Sequence, residues 1–268
     1  MNRRVLLGVA TFALAIFIYG AVARILLAPI VQLPALPGGT STLTLLLMIF
    51  SLLHARYLLG WRHTLLFFAL STVISLIYEE VGVGTGLIFG PYHYSDVLGM
   101  KLGLVPILIP IAWFAMIYPS YVIANLITDG QPSGSRGGLA RIAWVSLLSA
   151  MVMTAWDLLI DPILSHPNVH AWVWDRLGSY FGIPIHNYLG WMLTTFTVYL
   201  VYRLFERRSA PQPVGAITNW IAALAIIAYG SMMLGNMLTG PAALIVIGPF
   251  AMGLPIVFAL DRLWHRSS

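Results

Sequence analysis

The chain contains no cysteine, a single lysine (Lys101), and charged residues at only 9% of its positions. The first absence excludes disulfides, thiolate nucleophiles and cysteine-based metal sites. The scarcity of lysine and of charge excludes an ordinary soluble domain, whose exterior needs far more Lys, Glu and Asp than this sequence holds. Apolar residues are abundant instead: 59% of the 268 residues are hydrophobic, and mean hydropathy is +0.87. Most of the surface must face a lipid bilayer. The expected fold is therefore all-α, a polytopic helical bundle forming one transmembrane domain over residues 1–268.

The net charge of +5 does not signal nucleic acid. The arginines sit in short loops between apolar runs and read as topology signals. At roughly 20 apolar residues per span, eight transmembrane helices are expected, over residues 5–27, 41–60, 64–80, 104–127, 139–161, 185–205, 216–237 and 242–262. The first run follows Met1-Asn2-Arg3-Arg4 and is long enough to span, so it reads as a helix rather than a cleaved signal, although Ala21-Val22-Ala23 loosely resembles a cleavage site. With the N-terminus inside, eleven of the fourteen basic residues fall at cytoplasmic ends: Arg3, Arg4, Arg56, Arg62, Arg136, Arg141, Arg203, Arg207, Arg208, Arg262 and Arg266. The other side keeps Arg24, Lys101 and Arg176. Arginine at both termini implies an even number of spans, with both termini cytoplasmic and the bundle in the cell (inner) membrane.

Two segments do not read as spans. Residues 81–103 are too glycine-rich for a lipid-facing helix and are expected to form an outer loop over a cavity. Residues 162–184 have the aromatic and histidine composition of an interfacial segment. Pro162 is expected to end the fifth helix. His54 and His63, beside the inner arginines, read as interfacial anchors, and Gly235-Asn236 with the nearby methionines as packing. The inner halves of the helices read as apolar apart from isolated Ser and Thr.

Four of the nine acidic residues lie within or at the ends of apolar spans: Glu79 and Glu80 on the third, Asp157 and Asp161 on the fifth. A carboxylate at membrane depth is costly and marks a candidate site. Both helices run in the same direction, so the four acids share one depth near the outer boundary. Asp157 and Asp161 are four apart on one helical face, and without a cation between them one of the two is expected to hold its proton. Glu79 and Glu80 point about 100° apart, so only one enters the bundle. His186 and Asn187 open the sixth helix at this level, with Tyr78, Tyr92, Tyr94, Trp113, Trp156 and Trp191 as aromatic surface. His93, His166, His170 and His186 form no His-x-x-x-His pair within an expected helix, so no metal site is expected.

These residues carry a resemblance. The strings Tyr78-Glu79-Glu80-Val81-Gly82-Val83-Gly84-Thr85-Gly86, Phe89-Gly90-Pro91-Tyr92-His93-Tyr94, Val105-Pro106 with Ala112-Trp113, Ala155-Trp156-Asp157-Leu158-Leu159-Ile160-Asp161-Pro162, Trp172-Val173-Trp174 and Gly182-Ile183-Pro184-Ile185-His186-Asn187-Tyr188-Leu189-Gly190-Trp191 resemble the CruF-type carotenoid hydratases. The similarity spans residues 75–205. It implies addition of water across the terminal C1–C2 double bond of an acyclic ψ-end carotenoid, with no cofactor and no required metal. The implied partners are the lipophilic carotenoid, the bilayer and other carotenoid biosynthesis enzymes, and not nucleic acid. The family carries no settled catalytic residues onto these positions.

The chemistry itself points to the acids. Protonating an unactivated alkene needs a carboxylic acid still protonated at working pH, and burial beside a second carboxylate provides one. Asp157 or Asp161 is expected to donate, Glu79 or Glu80 to deprotonate the attacking water, Asn187 and Tyr78 to hold that water, and Trp113, Trp156 and Tyr94 to face the cation. Tyr92, His186 and Trp191 complete the expected substrate-binding set. A prenyltransferase would need a second Asp-rich motif and basic residues for diphosphate. A proton-coupled transporter would need polar residues through the full thickness. A lycopene-cyclase-like enzyme begins with the same protonation but forms a product with no added water.

Overall fold

A computed structural model describes residues 2–265; Arg266, one of the predicted inner arginines, lies outside them. Eight long helices carry the described fold. They are α1 (Arg3–Leu27), α2 (Gly39–Leu59), α3 (Trp61–Thr85), α4 (Leu108–Asp129), α5 (Leu139–Leu164), α6 (Ile185–Arg208), α7 (Asn219–Thr239) and α8 (Leu244–His265). All but α6 are long and apolar enough to cross a membrane, and the chain is an all-α, multi-pass membrane protein. The exception, α6, is 24 residues long and more polar in composition, and packs between α5 and α3. At the centre is α4, whose apolar window is 78% buried against 22% for α8 at the rim.

Two helices continue through residues expected to break them. The third continues through Val81-Gly82-Val83-Gly84 to Thr85 and stops at Gly86, whose φ of 69° only glycine adopts readily. Glycine is tolerated there because Gly82 on α3 and Gly190 on α6 leave room for the Phe89 ring, with which a Cβ at either position would collide. Pro162 does not end α5, which runs on to Leu164. Proline has no N–H for the carbonyl four residues back, and the freed Leu158 carbonyl accepts instead from the Tyr180 hydroxyl at 2.8 Å. The same device recurs in α4, where Pro119 frees the Ala115 carbonyl and Ser51 Oγ donates to it from α2 at 2.9 Å. In lipid, such replacement partners are what make a helical proline tolerable.

The arginine-rich end of the bundle is not apolar, contrary to expectation. Arg203 and Glu206 are almost fully buried. Arg203 donates to Asn125 Oδ1 at 2.6 Å and Ser149 Oγ at 2.9 Å, and lies over the Tyr121 ring. Glu206 accepts from the hydroxyls of Tyr121 and Ser135 and from the Gly134 N–H, which pins the α4–α5 connection. His54 and His63 are likewise buried rather than interfacial. The ring of His54 bridges three helices, donating from Nε2 to the Ile221 carbonyl and accepting at Nδ1 from Tyr118. The seats for these side chains are Ser, Asn and Tyr groups on facing helices, a pattern invisible along any single helix.

At the opposite end lie two short antiparallel pairings. Strand β1 (Tyr92–Tyr94) pairs antiparallel with β4 (Trp172–Trp174), and β2 (Lys101–Leu102) with β3 (Val105–Pro106). The two predicted non-helical segments thus meet across the top of the bundle.

Replacing Ser51 by Ala is expected to lower unfolding free energy by about 1–2 kcal/mol, because the Ala115 carbonyl loses its donor. In a Pro119→Ala background, which restores the helical N–H, the same change is expected to cost little. Thermal unfolding followed by near-ultraviolet circular dichroism on the four members of this cycle checks the coupling.

Candidate active site

Beneath the β1–β4 pair is an apolar chamber of about 120 Å³. Its polar lining includes two carboxyl groups, Glu79 from α3 and Asp161 from α5, and the Asn187 amide from the start of α6. Glu79, Asp157 and Asp161 are each at most 3% exposed. Burying a carboxyl group is tolerable only if donors surround it, and here the donors come from β1, β4, α4 and α6.

Glu79 accepts three hydrogen bonds. The Tyr92 and Tyr94 hydroxyls both donate to Oε2, the latter at 2.8 Å, and the Trp113 indole N–H donates to Oε1 at 3.1 Å. Burial, reinforced by the charge of Glu79, pushes both phenols well above their ordinary range, so they remain donors. Asp161 accepts from the Trp172 indole at Oδ1, 2.8 Å, and from the Asn187 amide at Oδ2, 2.7 Å. The same amide nitrogen donates to Asp157 Oδ2 at 3.0 Å. One Asn187 NH₂ group therefore serves two carboxyls a helical turn apart, while Asp157 Oδ1 has no protein partner. Tyr180, whose hydroxyl caps the Leu158 carbonyl, is pushed up to about 12 by burial and the nearby aspartates, and so keeps that proton at ordinary pH.

Aromatic rings wall the chamber. Trp113 and Trp191 stack with centroids 4.0 Å apart, and Trp156 meets Trp191 edge-on at 5.9 Å. Tyr92 packs against Trp174, and Tyr94 against Trp172.

Of the twelve residues singled out from sequence, eight line this chamber: Glu79, Asp161, Tyr92, Tyr94, Trp113, Trp156, Asn187 and Trp191. Asp157 stands behind Asp161, joined to it through Asn187. Three lie elsewhere. Glu80 turns outward and accepts the Leu104 N–H, as the 100° offset from Glu79 requires. Tyr78 bonds Thr197 on the flank of α6, and His186 is exposed. Trp172 and Trp174 also line the chamber; their alternate spacing in a short β-like string was the available signal. Among the described residues, no three His, Asp or Glu side chains group as a metal site would.

A second cavity of about 350 Å³ adjoins the first, bounded by α1, α2, α4, α5 and α7. Thr40, Thr44, Ala112, Trp156, Ile160 and Leu164 line both.

The comparisons with known proteins agree on one family. The family described as carotenoid biosynthesis protein matches residues 39–259. Bisanhydrobacterioruberin hydratase from Haloarcula japonica is 29% identical over 132 residues, which cover 49% of this chain and 42% of that protein. The matched stretch thus spans less than half the length of this relative. No solved structure matches the chain. With its acid-bearing apolar chamber and a match that runs from the start of α2 into α8, the chain belongs to the carotenoid biosynthesis protein family.

Proposed function

We propose that this protein adds water across the terminal C1–C2 double bond of an acyclic carotenoid end group, giving a tertiary alcohol. The observation that carries the reading is a pair of carboxyl groups from separate helices, Asp161 and Glu79, held in different hydrogen-bond environments within one aromatic chamber. Family membership and the hydratase activity named for the Haloarcula japonica relative support it.

Hydration begins with proton transfer to C-2, which leaves a tertiary cation at C-1. Water then bonds to C-1 and loses a proton, so the product is substrate plus one water. Asp161 is the donor in this scheme, because it faces the chamber. Asp157 and Asp161 share one amide in apolar surroundings, where two adjacent negative charges repel strongly, and the pair retains a proton for delivery. Asp157 is a positioning residue acting through Asn187. Glu79, accepting three hydrogen bonds, is arranged as the anion that faces the cation and takes the proton from the attacking water. That proton returns to the aspartate pair between turnovers. The faces of Trp113, Trp156 and Trp191 stabilise the cation while water approaches.

The arginine bias supports a placement of this chamber at the extracytoplasmic boundary of the membrane. There a carotenoid lying among the acyl chains brings its end group within reach of water, and other enzymes of the same biosynthesis can supply the substrate.

In cells accumulating an acyclic carotenoid, Asp161→Asn and Glu79→Gln are each expected to cut the hydrated product by about 10²-fold or more, whereas Glu80→Gln leaves it near the unmodified level. Pigment mass reads the outcome; full activity in the first two sinks the assignment, and a product of unchanged mass points to cyclisation. In heavy water, the alcohol is expected to carry one deuterium at C-2, and in heavy-oxygen water a labelled hydroxyl, by mass spectrometry.

A further inference from the structure

The acid chamber is too small to hold its substrate. At about 120 Å³ it falls below the ~300–1,000 Å³ of ordinary small-molecule sites and accommodates little more than the reacting end of a long isoprenoid. The remaining chain must lie somewhere, and the 350 Å³ cavity is the space that shares its walls. Trp156 and Ile160 on α5, with Ala112 on α4 and Thr40 and Thr44 on α2, form the common boundary. Beyond it the lining is mostly aliphatic and aromatic, with Phe17, Leu43, Leu47, Met116 and Met232 contributed by four helices.

The local backbone is also unusual there. Helix α1 widens into a π-helical turn at Tyr19–Ala23, and Gly20 and Ala21 of that turn line the cavity. Such single π turns inside α-helices are uncommon and concentrate at functional sites. Extended methionine and leucine side chains on the facing walls adapt to a chain without demanding one shape.

We propose that this second cavity is the binding site for the isoprenoid chain of the substrate, running between α1, α2 and α7 while the end group enters the acid chamber past Trp156. This rests on the hydratase reading for the identity of the chain, but the site can be tested without catalysis. It also implies that chain length and the reacting end are read by different walls: α1 and α7 line only the second cavity, whereas α3, α6 and the β1–β4 pair line only the acid chamber.

The experiment uses the purified full chain in detergent and lycopene, an achiral acyclic polyene that acquires circular dichroism in its visible band only when held in a chiral site. Unmodified protein is expected to induce that signal. Leu43→Trp on α2 and Met232→Trp on α7, which fill the cavity from two different helices, are each expected to weaken binding by about tenfold or more, whereas Leu45→Trp, on the exposed side of α2 and outside both cavities, binds as the parent does. Near-ultraviolet circular dichroism confirms that each variant is folded, and either cavity-filling variant suffices if the other is not. Hydration of a short acyclic terpene with the same end group is expected to survive in the folded cavity-filling variants. Undiminished lycopene binding in both of these variants overturns the chain site, as does loss of the short-terpene reaction in step with lycopene binding. A protein that binds lycopene through this cavity yet hydrates neither substrate would refute the hydratase reading and leave the chain site standing.

Discussion

Everything at the β-strand end of this bundle depends on one constraint: a carboxyl group removed from water must be met by hydrogen-bond donors or it destabilises the fold. Three such groups are buried here, and their donors come from β1, β4, α4 and α6. The acids thus organise the loops above them as much as the loops enclose the acids. Without Asn187, α5 and α6 would press two carboxyls into an apolar seam with no shared partner. Without Tyr92, Tyr94 and Trp113, Glu79 would have none of the donors recorded for it.

The same constraint governs the backbone. Leu158 and Ala115, each freed by a proline, are satisfied by hydroxyls from outside their own helices. The two solutions differ in consequence. Ser51 joins two helices inside the bundle, whereas Tyr180 belongs to the segment that leads into α6 and sits near the aspartates. The carbonyl left open by Pro162 therefore helps to anchor the segment between β4 and the helix that carries Asn187.

Much of this was legible in the sequence. Hydropathy and arginine placement revealed eight helices with small boundary errors, and the i, i+4 spacing of Asp157 and Asp161 put both on one helical face. The adjacency of Glu79 and Glu80 correctly implied that only one could enter. What escaped was decided by partners distant along the chain. Pro162 looked like a helix end because Tyr180, which rescues it, lies eighteen residues away. Glu206 fell just beyond an expected span ending at 205, yet α6 reaches Arg208, and the residues that seat Glu206 come from α4 and the following loop. His54 looked interfacial beside arginines because its partners, Tyr118 and Ile221, lie on other helices.

The pairing of β1 with β4 places Tyr92 opposite Trp174 and Tyr94 opposite Trp172, with His93 and Val173 between them. Because side chains alternate along a strand, the four aromatic residues share one face, and a shift by a single residue would exchange that face for the other. The roof over the acids therefore has no half-assembled register: either all four rings look down into the chamber and Tyr92, Tyr94 and Trp172 reach their carboxyls, or the ribbon slips and Glu79 and Asp161 lose those donors together, leaving them only Trp113 and Asn187. A ribbon only three residues long on each side thus acts as a single latch for the acid centre.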